Sequence, residues 1–229
     1  MIVDLLLVRH GYSCANAWKQ KLPGLQGLYA DPELTEQGKQ LCEQRRGALT
    51  AAIDHYFHEH PYMIATSSMI RTQQTAYHMF LKGTDRKYTI IPHVAEEGIT
   101  VNNFPLPAEQ QKARLGSSVL HHLHEDLRGS TTVANKSNWP KCLAWIKAHG
   151  IRTAVIFTHG KFIQNALKEK EASNNDIFYA KVDTATGTIL EKKRLTGFPN
   201  PPVSVEGCRI HTKRQFVTGG RTRRRYKRK

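Results

Sequence analysis

Two arginines and two histidines stand where an oxyanion could be gripped and attacked: Arg9 and His10 side by side, Arg71, and His159. A phosphate monoester needs a cationic pocket for its dianion, a nucleophile in line with the leaving oxygen, and a proton donor for that oxygen. An imidazole with a pKa of about 6.5 is largely neutral at cellular pH and can attack phosphorus. Arginine is permanently charged, and its fork of donors fits phosphate oxygens. Taken alone, each histidine reads as an ordinary loop residue. The set reads as phosphoryl chemistry.

The elements around these residues set where they can meet. Residues 2–8 (IVDLLLV) form a continuous apolar run that stops at Arg9-His10-Gly11, the pattern of a central parallel strand. Residues 11–34 read as a loop, and 36–57 as a helix with Thr35 as N-cap. Further strands are predicted at 63–67, 88–91 and 152–158, with helices over 68–81, 108–128, 141–149 and 159–168. Residues 177–195 read as a hairpin around a TATG turn. This alternation predicts an α/β three-layer sandwich with a mostly parallel central sheet. Loops at the carboxyl ends of such strands form the ligand site. Arg9-His10 and His159 therefore fall at one edge of the sheet.

Three stretches, LVRHGYSCAN, TSSMIRTQQTA and FTHGKF, resemble in order and interval the signature blocks of the histidine phosphatase (phosphoglycerate mutase-like) superfamily. The resemblance covers roughly residues 2–195, with 104–139 outside it as an insertion. It implies a phosphoglycerate mutase-like fold and a phosphohistidine formed on His10, with Arg9, Arg71 and His159 around the phosphoryl group. It also implies a phosphate contact from Asn16, and one from the backbone at Gly160, where a helix begins. The leaving-group acid is expected at Glu96, in the segment PHVAE, with the adjacent Glu97 as the alternative. That acid must be protonated when substrate binds, so a mildly acidic to neutral optimum is expected. No metal and no cofactor is expected.

Departures from the pattern bear on the reaction. Tyr12 stands where many mutase-type members carry Glu, and little of a mutase's substrate-enclosing insertion is present. Without water exclusion a mutase would lose its phosphoryl group, so hydrolysis is favoured over mutase-type transfer. A noncatalytic binding protein of the same fold is the rival from another class; the intact Arg9, His10, Arg71 and His159 set argues against it. Substrate choice between a phosphorylated small molecule and a phosphoprotein is not encoded in any readable motif.

Composition places the chain among ordinary globular domains, with 39% hydrophobic and 23% charged residues. The opening apolar run is too short for a membrane span and Asp4 interrupts it, so an intracellular setting, cytoplasmic or nuclear, is expected. Four cysteines without CxxC spacing suit free thiols in a reducing compartment. A cysteine phosphatase needs an arginine six residues after its cysteine, and only Cys208, followed by Arg214, has one; no glycine-rich loop accompanies it. His121, His122 and His124 do not share one helical face, so they do not form a metal site.

The net charge of +15 is uneven: ten of the 34 basic residues and none of the 19 acidic ones lie in 209–229. The expected domain layout is therefore a catalytic domain over 1–205 and a basic, disordered tail over 206–229. That tail is expected to attract polyanions, nucleic acid or anionic membrane, in a salt-dependent way.

Overall fold

A computed structural model describes residues 1–24, 29–58, 60–98, 100–124, 137–199, 201–202 and 204–208. Among them, the strands β1 (Ile2–Arg9), β2 (Met63–Thr66), β3 (Thr89–Ile90), β4 (Thr153–Thr158), β5 (Ile177–Asp183) and β6 (Ile189–Arg194) form one sheet. Its order is β3-β2-β4-β1-β5-β6. Neighbours from β3 to β1 pair in parallel; β5 pairs antiparallel with both β1 and β6. The fold is the expected α/β sandwich, with the TATG hairpin as its antiparallel margin.

β1 is apolar from Leu5 to Val8 because both of its faces are covered there. Val3, Leu5 and Leu7 join one core with α6 (Trp139–Ala148) and α7 (Gly160–Leu167). Leu6 and Val8 point the other way, into a core shared with α2 (Glu36–Gln44), α3 (Arg46–Phe57), α4 (Ile70–Ala76) and α5 (Ala108–Leu120). Burying one such leucine contributes roughly 1.5–3 kcal/mol, so β1 anchors both layers. Trp139 and Trp145 are half-buried against the α6–α7 side.

Several local expectations change. Thr35 does cap α2, its Oγ1 accepting from Gly38 N at 2.9 Å. The single helix expected beyond it breaks at Arg45, whose side chain turns inward to donate to Asn174 O at 2.9 Å. The expected loop 11–34 contains a helix, α1 (Cys14–Lys21), capped reciprocally by Ser13 and Asn16. After α4 the chain continues as a π-helical turn, Tyr77–Leu81. The helix expected over 108–128 ends at Leu120 and kinks at Gly116, where φ is 77°. Residues 125–136 of the expected insertion lie outside the described residues.

The free-thiol expectation is corrected for two of the four cysteines. Cys14 and Cys208 form a disulfide with their Cα atoms 5.5 Å apart, while Cys42 and Cys142 are free and buried. A separation of 194 residues hides this pair from any reading of local spacing, and cysteine usage no longer argues for a reducing compartment. The bond fastens the chain as far as Cys208 to the start of α1. The tail expected to be disordered lies, from 209 onward, outside the described residues. No helix among the described residues is long and apolar enough to cross a membrane.

Candidate active site

Parallel pairing sets Arg9 beside Thr158 in register, and the residue after each is a histidine. His10 N donates to Thr158 O at 2.9 Å, which locks the two strand ends together. The ring centroids of His10 and His159 lie 5.3 Å apart, edge to face. Ser67 follows β2, Arg71 sits in the first turn of α4, and Glu96 lies beyond β3. Carboxyl ends of four parallel strands thus supply the site.

His10 is 3% exposed, and its Nδ1 lies 2.8 Å from Gly11 O. A carbonyl only accepts, so Nδ1 carries the proton and Nε2 keeps its lone pair. Burial, reinforced by the charges of Arg71 and Arg9, holds the imidazole well below its ordinary pKa. It is neutral at physiological pH.

His159 is fully buried and held low in the same way, by burial first and then Arg71. Arg71 Nη2 donates to its Nδ1 at 3.1 Å, and Ser67 Oγ lies 2.8 Å from its Nε2. Since a guanidinium only donates, the proton sits on Nε2 and Ser67 accepts it. Ser67 Oγ in turn stands 2.9 Å from Thr72 Oγ1, which donates to Met69 O at 2.8 Å.

Arg71 is completed by Asn102 O, which accepts from its Nη1 at 2.9 Å. Arg9 Nη1 donates to Ala172 O, while its Nε is buried with no hydrogen-bond partner among the described residues. Gly160 bears on Arg9 directly: a Cβ there would stand 3.1 Å from Arg9 Nε. Its missing side chain makes room for the guanidinium.

The two glutamates separate. Glu96 Oε2 lies 3.8 Å from His159 Nδ1, with its side chain 15% exposed. Glu97 points outward and accepts from Asn165 Nδ2 at 2.6 Å. Donor atoms of His10, Glu96 and His159 lie within 4.8 Å of one another. Two imidazoles and a carboxylate could ligate a transition metal. However, His159 Nδ1 already accepts from Arg71, and two guanidinium groups at the site favour an anion.

Asn16 is engaged through its Oδ1, which accepts from Ser13 Oγ at 2.8 Å and Asn174 Nδ2 at 3.3 Å. Asn174 was not singled out by sequence. It also donates to His10 O at 2.9 Å and Gly11 O at 3.1 Å, bracing the loop that carries His10. Thr75, which accepts from Gly11 N at 2.8 Å, braces it from α4. Only the TQQT stretch of the second block could have drawn attention to Thr75, and nothing local marks Asn174. Tyr12 is buried, its hydroxyl donating to Gln20 Oε1.

A family model described as Histidine phosphatase superfamily (branch 1) matches residues 5–195. No curated protein matches the sequence. Among solved structures, the chain is similar to the alpha-ribazole phosphatase of Shigella flexneri. That pair is 14% identical with a TM-score of 0.48, covering 86% of this chain and 100% of that one. It is similar also to the phosphoglycerate mutase of Thermus thermophilus, at 17% identity and TM-score 0.45, over 83% and 98% of the two chains. A mycobacterial glucosyl-3-phosphoglycerate phosphatase aligns at 15% identity and TM-score 0.44, over 80% and 91%.

Proposed function

The chain belongs to the histidine phosphatase superfamily, and we propose that it hydrolyses phosphate monoesters through a phosphohistidine at His10, without a metal ion. The observation that carries this reading is the His10 Nδ1 bond to Gly11 O. It leaves a bare, neutral Nε2 in a pocket charged by Arg9 and Arg71.

In the first step Nε2 attacks phosphorus and the bond to the leaving oxygen breaks. Glu96, protonated, gives that oxygen its proton. In the second step the Glu96 carboxylate takes a proton from water, the water oxygen attacks phosphorus, and the N–P bond returns its electron pair to Nε2. Arg9 and Arg71 hold the equatorial oxygens. A bound dianion would favour protonation of His159 at Nδ1, turning that nitrogen into a donor. Asn16, its oxygen already taken, would donate through Nδ2. The unpartnered Nε of Arg9 is a donor that an anion would complete.

The Lys/Arg-rich segment 209–229 adds a salt-dependent attraction to polyanions on charge alone. Its removal should leave turnover of a small ester nearly unchanged.

The test is hydrolysis of p-nitrophenyl phosphate in EDTA, with acid-labile phosphate trapped on the protein by rapid quench. Native protein should release inorganic phosphate and carry label, and His10→Ala should do neither. Equal rates in the two proteins would remove the phosphohistidine step.

A further inference from the structure

α4 carries Arg71, yet it has no cap of its own: Met69, at the N-cap position, offers no side-chain hydrogen bond. A carboxylate 39 residues away fills the gap. Asp31 Oδ1 accepts from Ile70 N, the residue before Arg71, at 2.8 Å. Its other oxygen accepts from Leu106 N at 3.0 Å and Gln111 Nε2 at 2.7 Å. Asp31 is fully buried and sits in the left-handed region, φ 45°, which aspartate tolerates better than most residues.

Those contacts join two pieces of chain. Leu106 and Gln111 belong to the stretch that also contains Asn102, whose carbonyl accepts from Arg71 Nη1 at 2.9 Å. Gln111 Nε2 donates as well to Ser68 O at 2.7 Å. Its Oε1 accepts from Gln73 Nε2 at 3.4 Å, and Gln73 is oriented by Tyr88, whose hydroxyl donates to Gln73 Oε1 at 2.8 Å. The start of α4 and the 102–111 stretch are thus fastened by Asp31, by Gln111 and by Arg71 itself.

We propose that Asp31 is a positioning residue: by clamping the start of α4 to the 102–111 stretch, it fixes the Arg71 guanidinium against His159. It touches no reacting atom. Without its carboxylate, Ile70 N, Leu106 N and Gln111 Nε2 lose a shared acceptor inside the protein, a loss the buried chain cannot make good with water. The stretch bearing Asn102 is then held only through Gln111 and Arg71, and the Asn102 anchor of Arg71 loosens. The proposal rests on the reading that Arg71 binds the phosphoryl group.

The experiment combines amide hydrogen exchange with a double-mutant cycle on p-nitrophenyl phosphate hydrolysis, using the full chain. In Asp31→Asn, amides of 70–75 and 102–111 should exchange faster while β1 and β4 keep native protection. kcat/KM should fall about 100-fold in the native background, but no more than about twofold when Arg71→Ala is already present. Unchanged exchange in both stretches, or equal losses in the two backgrounds, overturns the proposal. If Asp31→Asn does not fold, Gln111→Met removes one clamped donor at similar volume and must speed exchange in 102–111, or the proposal fails. If the native chain hydrolyses no phosphate ester at all, the phosphatase reading falls and exchange alone decides on Asp31.

Discussion

Ser67 Oγ stands 2.8 Å from His159 Nε2, and with Arg71 donating to the opposite ring nitrogen it fixes the tautomer of a buried histidine. Ser67→Ala removes the acceptor and leaves an unmet N–H. Stability should drop by about 1–3 kcal/mol in urea unfolding. The nitrogen shifts of His159 in NMR should show loss of the single Nε2–H tautomer. Unaltered shifts would mean that Ser67 does not set it.

Arg71→Lys keeps the charge and loses the fork. A lysine cannot reach Asn102 O and His159 Nδ1 together while holding two phosphate oxygens. kcat/KM for a small ester should fall about 100-fold. A variant within about threefold of native activity would show that charge alone suffices.

Acid should not switch off the nucleophile in the usual imidazole range. Burial, then Arg71 and Arg9, hold His10 well below 6.5, so the acid limb of kcat/KM assigned to it should lie clearly below that value. A His10 ring whose NMR titration is centred at its ordinary value of 6.5 would contradict the assignment.

Stability against pH combines two opposed contributions. His10 and His159 have depressed pKa values in the folded chain, so their contribution is present above 6.5 and lost as pH falls. Burial raises the Asp31 carboxyl from 3.8 to about 6, against the pull of its N–H donors and Arg71. Its contribution is fully present below 3.8 and lost as pH rises through 6. Asp31→Asn deletes that gain on acidification. The loss of stability between pH 7 and 5 should therefore steepen by about 1 kcal/mol, read from urea midpoints.

Thiol titration of the denatured chain should find two free cysteines before reduction and four after it. The closed loop of 194 residues sets a chain-entropy limit of roughly 5 kcal/mol on what the bond stabilises. Cys208→Ser should lower the thermal midpoint, and reduction of the native protein should give the same midpoint. Four free thiols without reductant would remove the bond.

What the sequence disclosed followed burial. β1 and β4 are covered on both faces, so their sequences are almost wholly apolar, with Asp4 the exception in β1, and end sharply at Arg9 and Thr158. That sharpness is enough to put His10 and His159 at one edge from sequence alone. α1 stayed hidden because CANAWKQK is short and polar, and its capping box uses Asn16 where the usual signature has Glu or Gln. The break at Arg45 depends on Asn174 and Pro199, partners far along the chain. Asp31, Asn174 and the Cys14–Cys208 bond are likewise long-range, and no local pattern reports them. The residues proposed to do chemistry cluster in motifs; those that hold them in place are scattered.

The disulfide also decides how the molecule bears mechanical load. Tension between any point ahead of β1 and any point after Cys208 passes through the sulfur bridge and spares everything the bridge encloses. The whole pull then runs lengthwise along β1, a shear resisted at once by β4 on one side and β5 on the other. The strand that leads into His10 is the one the molecule would have to drag out first.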